Sequence, residues 1–463
     1  MKLAAWCLAL PFCCSLALST QAQQLLPASE IDRAASLPLQ SSGAPSVSIS
    51  VVQKGRAVYA KAFGKANIQK DIAAKPDTRY AIGSISKQFT AVVLLLEQEK
   101  GKLSLDDKVS KYFPGLTRAN EVTIRELLSH TSGYEDYAPQ DYLIPEWTKP
   151  VTADEILQRW ARKPLNFDPG TRWQYSNTNY VLAARIFEKA SGQRLLPFLR
   201  KTIFQPLKME SAGSCLERGP ADAQAYTRYA LGPPRPVARE AAGWYLGAAE
   251  LCMTAPDLAK WNAALLQKSI LSAKSYDELT REVKLKDGKP THYALGLQVG
   301  EFHNTPQVMH SGEVSGFLAM NRMYPAKGIA VTVLSNEDGV SLIGPLSEQI
   351  SSIMLQPGQS AQSAAQDDQV RNILNGLQEG QIDRNLFTSD ANSYFSDTAM
   401  ADYQRSLAPL GRLKFLIREG EQQRGGMTHL SFRAQYERKA VLLNIYKTAA
   451  GKFEQFLVEG QAE

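Results

Sequence analysis

The sequence predicts an α/β (α+β) chain in two units: an antiparallel sheet flanked by helices, followed by a small C-terminal α+β domain. Three observations carry that prediction. Residues 45–52 and 57–64 alternate in polarity about a Lys54-Gly55 turn, as the two strands of a hairpin do. A helical middle is followed by three strand-like runs in series, at 293–302, 317–324 and 329–334. Between Gln356 and Asp367 the composition shifts to Gln, Ser, Ala, Gly and Pro, which reads as a linker. Residues 23–355 then form the first domain and 368–463 the second, with a helix at 370–377 and strands at 413–417, 428–436, 440–448 and 453–458.

The chain opens on Met1-Lys2, an apolar run from Leu3 to Leu18 and a small-residue site ending at Ala22. One lysine and a short apolar core fit a secretory signal peptide over residues 1–22, cleaved after Ala22, and hence a periplasmic or secreted protein. Cleavage removes Cys7, Cys13 and Cys14 and leaves Cys215 and Cys252, either as one disulfide in an oxidising compartment or as two buried thiols. A polar leader precedes the hairpin. Helical patterns follow at 91–97, 122–128, 153–162, 180–190, 195–203 and 256–266, the last with Thr254 as its cap and Asp257 in its first turn. Residues 134–150 are irregular and rich in aromatics, with Tyr134, Tyr137, Tyr142 and Trp147, and read as packed cover or a lid.

Composition excludes several function classes. The net charge of +6 and pI near 8.8 come from lysines and arginines spread without long runs, which argues against nucleic acid as a partner. No apolar run beyond the leader is long enough for a membrane span. Five scattered histidines without a His-Glu-x-x-His motif point to no metal and no cofactor. A Gly-x-Ser-x-Gly elbow is also absent, which sets aside an α/β-hydrolase.

The chemistry concentrates at Tyr80-Ala81-Ile82-Gly83-Ser84-Ile85-Ser86-Lys87, which runs straight into an apolar helix. With the helix starting near Ser84, Lys87 lies one turn on, on the same face. Ser84 would sit at the helix N-terminus, where outward N–H groups favour a developing oxyanion. A serine with a basic partner and oriented donors is the minimum for acyl transfer. Two further motifs accompany it: Tyr175-Ser176-Asn177, after Asp168-Pro169-Gly170, and His310-Ser311-Gly312.

In this order and spacing the three motifs resemble those of the class C β-lactamase and low-molecular-weight penicillin-binding protein family. D-alanyl-D-alanine carboxypeptidases, D-aminopeptidases and esterases also belong to it. The resemblance covers roughly residues 40 to 350 and extends to Leu127-Leu128-Ser129-His130-Thr131-Ser132-Gly133. It implies a β-lactamase/transpeptidase-like sheet with an all-helical subdomain, and an exported serine hydrolase that forms an acyl-enzyme at Ser84 on a peptide, amide or ester. Lys87 and Tyr175 are the two candidates for general base. Asn177 would bind Lys87 or the substrate amide, and His310, Ser311 and Gly312 would line the substrate strand. The backbone N–H groups of Ser84 and Glu313 would hold the oxyanion. Where many β-lactamases of the family carry lysine, this chain has His310, which is mostly uncharged at neutral pH and attracts a carboxylate less strongly. That favours the peptidase and esterase branches over efficient β-lactam hydrolysis. His130, at a helix end, reads as structural. The competing reading is a penicillin- or peptide-binding protein without turnover, with the C-terminal domain as its interaction module.

Overall fold

A computed structural model of the chain describes residues 28–460 apart from 141, 218, 231 and 356, so the expected signal peptide lies outside the described residues. Seven strands make the main sheet: β1 (Ser46–Gln53), β2 (Arg56–Asn67), β3 (Ile72–Ala73), β4 (Gln298–Phe302), β5 (Thr305–Val314), β6 (Phe317–Tyr324) and β7 (Ile329–Ser335). Their order is β3-β2-β1-β7-β6-β5-β4, and the pairings are antiparallel. Distant parts of the sequence therefore meet at the sheet centre, with Val47 opposite Ser335 and Gln53 opposite Ile329.

Both faces of the sheet are covered, which is why β1 and β7 read as nearly continuous buried runs. Alternation along β7 sends Ile329, Val331 and Val333 into one core and Ala330 and Leu334 into the other. The first core lies under helices Ala28–Ser42 and Ile343–Leu355. The second holds helix Ser86–Glu99 and the helical middle of the chain, including Asn177–Ser191 and Ala255–Leu266.

Three expectations are corrected. The polar leader is in fact helical from Ala28 to Ser42, because Ile31, Ala34, Ala35 and Leu39 form a buried stripe at three- and four-residue spacing. The sheet closes with four strands rather than three. The unexpected one is β5, in which Pro306, His310 and Gly312 interrupt the apolar alternation. The stretch expected as a linker runs into a helix, Pro357–Glu379. Proline is favoured at a helix start, and the Gln, Ser and Ala that follow it are compatible with helix.

Beyond that helix, β8 (Leu413–Arg424), β9 (Met427–Tyr436), β10 (Ala440–Lys447) and β11 (Phe453–Gly460) pair sequentially as an antiparallel meander. With helices Pro357–Glu379 and Asp397–Leu407 they enclose a separate core that includes Leu374, Leu377, Phe387, Leu430, Phe432 and Phe456. Among the described residues no helix is long and apolar enough to cross a membrane.

Candidate active site

Tyr80 and Ala81 pair with Met253 and Cys252, and Cys252 also pairs with Gly213, so a small sheet delivers the chain into the turn that carries Ser84. Gly83–Ile85 is a single 3-10 turn opening onto helix Ser86–Glu99. Two glycines let β5 press against this turn. A Cβ on Gly312 would lie 2.0 Å from the Ile82 carbonyl oxygen, and one on Gly83, whose φ is +51°, would lie 2.5 Å from the Glu313 nitrogen. The amides of Ser84 and Glu313 therefore belong to two backbones in direct contact.

Lys87 is fully buried. Its Nζ is 2.9 Å from Ser84 Oγ, 2.7 Å from Asn177 Oδ1 and 3.1 Å from the Ala248 carbonyl oxygen. It also lies over the rings of Tyr175 and Tyr180, 4.8 and 5.4 Å from their centroids. Burial pushes its pKa well down, to about 7, while the charge of Asp136 opposes that fall. A neutral amine has two N–H bonds and one lone pair. The Asn177 amide oxygen and the Ala248 carbonyl only accept, so they take both N–H groups, and the lone pair faces the Ser84 hydroxyl.

Tyr175 is held differently. Burial raises its pKa above the usual tyrosine value, a hydrogen bond with Ser84 pulls it back, and Asp136 pushes it further up. It is a neutral phenol with its hydroxyl at the nucleophile. Asn177 opens helix Asn177–Ser191, and the Asp136 carboxylate caps that end: Oδ1 accepts the Asn177 N–H at 2.9 Å and Oδ2 the Asn177 Nδ2–H at 3.3 Å. Ala138 N–H donates to the same Oδ1 at 3.1 Å. Burial nevertheless leaves the Asp136 pKa raised. Asp136 thus fixes the amide whose oxygen holds Lys87.

The His310 side chain lines the cleft but is itself almost fully buried. Its Nδ1 meets the Ser311 carbonyl, which only accepts, so the proton sits on Nδ1 and Nε2 takes the Tyr293 hydroxyl proton at 2.8 Å. Burial, with Lys87 nearby, drives its pKa down to about 3. His130, with φ +61°, accepts the Ser176 N–H on Nδ1 at 3.1 Å and lies 4.3 Å from the Tyr175 ring centroid. Burial, followed by the fields of Lys87 and His310, keeps it neutral too.

A cleft of about 700 Å³ is lined by Ser84, Asp136, Tyr175, Asn177, His310, Ser311 and Glu313, among others. The lid-like aromatics divide: Tyr137 and Trp147 are buried against Trp244, whereas Tyr142 is exposed. Cys215 and Cys252 are joined as a disulfide, with a Cα–Cα distance of 4.9 Å. Asp136 and Tyr293 were missed by sequence reasoning. A carboxylate in an aromatic-rich loop just after Ser132-Gly133 was the available signal for the first, and Tyr293 has none, being one apolar residue of a presumed strand.

A family model for Beta-lactamase matches residues 31–342. The chain belongs to that family. It is similar to penicillin-binding protein 4* of Bacillus subtilis, 30% identical over 316 residues that cover 63% of this chain and 68% of that protein. Among solved structures it resembles a D-stereospecific amidohydrolase from Streptomyces sp., with 25% identity, a TM-score of 0.62 and coverage of 71% and 99% of the two chains. An octameric penicillin-binding protein homologue from Pyrococcus abyssi gives a TM-score of 0.63 at 21% identity. It covers 93% of this chain and 99% of its own, so the shared fold reaches into the C-terminal meander. The β-lactamase-like fold, with its antiparallel sheet and helices, is thereby established, and with it membership of a family of serine hydrolases.

Proposed function

We propose that this member of the family is an exported serine hydrolase that acylates at Ser84 and cleaves a peptide, amide or ester. The observation that carries the reading is the desolvated Lys87 amine 2.9 Å from Ser84 Oγ, with both its N–H groups committed elsewhere. Lys87 is the general base of this proposal, because its pKa is lowered to about 7 whereas that of Tyr175 is raised.

Ser84 Oγ bonds to the substrate carbonyl carbon while its proton passes to Lys87 Nζ. The carbonyl oxygen becomes an oxyanion held by the backbone N–H groups of Ser84 and Glu313. As the bond to the leaving group breaks, the Tyr175 hydroxyl donates a proton to it, and the proton on Lys87 makes up the loss. Water then attacks the acyl carbon and gives up a proton to Lys87; the bond from that carbon to Ser84 Oγ breaks, and Lys87 returns the proton to Oγ. Asn177 keeps Lys87 in register, and Ser311 flanks the leaving group. His310, neutral and hydrogen-bonded to Tyr293, provides no charge for a substrate carboxylate, which favours amidase, peptidase and esterase activity over carboxypeptidase or β-lactamase activity.

The test is turnover of an aromatic ester, an amino-acid amide and a peptide ending in D-alanyl-D-alanine by the mature chain and by Ser84→Ala. The proposal requires hydrolysis of at least the ester or the amide, lost in the variant. Hydrolysis that persists in Ser84→Ala would refute it.

A further inference from the structure

Tyr175 stands where the chain gives it little local support. Residues 172–176 have no regular secondary structure, and helix Asn177–Ser191 begins only after Ser176. The Ser176 side chain does not cap that helix. The Tyr175 hydroxyl must still meet Ser84 and the leaving group closely, since a misplacement of about 1 Å costs a catalytic group about 100-fold in rate. Something outside the stretch has to fix it.

Both backbone neighbours of Tyr175 bond to one residue. Gln174 N–H donates to the His130 carbonyl at 3.0 Å, and Ser176 N–H donates to His130 Nδ1 at 3.1 Å. Between these two bonds the imidazole lies against the Tyr175 ring, tilted 36° to it with centroids 4.3 Å apart. The carbonyls of Thr131 and Gly133 take the N–H groups of Gly170 and Asn166, so they place the far end of this loop rather than Tyr175.

His130 is itself fixed. A capping box between Thr123 and Glu126 starts the short helix Ile124–Leu128. Past its end, His130 N–H donates to the Leu127 carbonyl at 3.2 Å and Thr131 N–H to the Glu126 carbonyl at 2.9 Å. At His130 the chain turns through φ +61°, a left-handed conformation that a Cβ makes costly.

The chemistry of the ring points the same way. Nδ1 faces two donors: the Ser176 N–H and, at 3.5 Å, the Asn179 amide nitrogen, while Asn179 Oδ1 takes the Ser132 hydroxyl proton. Nδ1 therefore carries the lone pair and Nε2 the hydrogen. That Nε2 is buried beside the rings of Tyr180 and Tyr293 and has no hydrogen-bond partner among the described residues. A phenylalanine would fill the same space without the cost of an unpaired N–H. What the imidazole adds is the acceptor for Ser176.

Building on the Ser84 hydrolase reading, we infer that His130 is a positioning residue for the reaction, setting the Tyr175 hydroxyl against Ser84 and the leaving group by holding the main chain on both sides of Tyr175. It lies outside the lining of the Ser84 cleft and acts through Tyr175 alone.

The experiment is a double-mutant cycle on the full mature chain. It reads kcat and KM in wild type, His130→Phe, Tyr175→Phe and the double variant, for whichever of an aromatic ester and an amino-acid amide wild type turns over faster. Circular dichroism and a denaturant titration accompany each. His130→Phe keeps a ring against Tyr175 and removes the acceptor, and kcat falls by about 100-fold with KM little changed. In the Tyr175→Phe background the same substitution costs less than about threefold, because the hydroxyl it misplaces is already gone. His130→Asn recovers kcat to within about fivefold of wild type, since Oδ1 is attached to Cγ as Nδ1 is and asparagine tolerates the left-handed turn. Losses that multiply across the cycle, a folded His130→Asn as slow as His130→Phe, or a His130→Phe within about threefold of wild type would overturn the inference. Should His130→Phe fail to fold, His130→Gly, which suits the positive φ and also lacks the acceptor, takes its place; failure of both would make His130 a purely structural residue and overturn the inference as well. If wild type hydrolyses neither substrate, or Ser84→Ala hydrolyses them equally, the hydrolase reading falls and this inference with it. Hydrolysis that depends on Ser84, with losses that multiply across the cycle, sinks this inference alone.

Discussion

Asp136→Asn removes one charge from the pair that sets the protonation of Lys87. The two groups are bridged by Asn177, with 2.7 Å from Lys87 Nζ to Asn177 Oδ1 and 3.3 Å from Asn177 Nδ2 to Asp136 Oδ2. Adding the width of the amide puts the charges on the order of 7 Å apart, where an effective dielectric near 20 gives about 2 kcal/mol. That converts to roughly 1.5 pH units. The sign follows from the charge: a carboxylate favours the ammonium form, so its loss lets Lys87 give up its proton at lower pH. For a base titrating near 7, kcat/KM rises with pH up to that value and levels above it. In the variant the rising limb moves to about 5.5, by the same shift. The substitution also sets an amide N–H against Asn177 Nδ2–H, at a stability cost of about 1 kcal/mol. The assay is kcat/KM for an aromatic ester from pH 5 to 10, with thermal unfolding in parallel. A limb that stays in place or moves upward would refute the coupling, and a wild-type rate still rising through pH 10 would assign the base to Tyr175 instead.

Removing the phenol in Tyr175→Phe slows acylation by about two to four orders of magnitude with the fold retained, as measured by single-turnover kinetics and circular dichroism. Gly312→Ala drives a methyl group into the Ile82 carbonyl, so labelling of Ser84 is lost and stability falls by about 1–3 kcal/mol in a denaturant titration. Reducing the Cys215–Cys252 bond, which closes a loop of 37 residues, costs about 3–4 kcal/mol and lowers the melting temperature in calorimetry. An unchanged Tm after reduction would mean that the bond carries no stability.

Much of this arrangement is legible in the sequence because it is local. Ser84 and Lys87 are three residues apart on one turn, and Tyr175 and Asn177 flank the start of one helix, so short motifs contain their geometry. Strands β1 and β2 are equally plain, since a tight turn joins two alternating runs. What the sequence hides depends on long-range packing. Asp136 matters only because its loop folds onto the start of the Asn177 helix, and no local pattern announces that. The protonation of His310 depends on Tyr293 from outside its own strand, so no local pattern announces that this cleft-lining imidazole is buried and neutral. Strand β5 is obscured by the residues that fit it to the Ser84 turn, Gly312 above all. The Ala28–Ser42 helix is hidden by polar residues around a narrow apolar stripe.

Intact-protein mass spectrometry of the mature chain tests the central claim most directly. Wild type and Ser84→Ala are sampled over seconds to minutes after mixing with a penicillin, a D-alanyl-D-alanine peptide and an activated ester. An acyl adduct is predicted on wild type with at least one reagent, absent from the variant and decaying as product is released. An adduct that forms on Ser84 and never decays would mean recognition without turnover. An adduct of equal yield in Ser84→Ala would contradict the account outright.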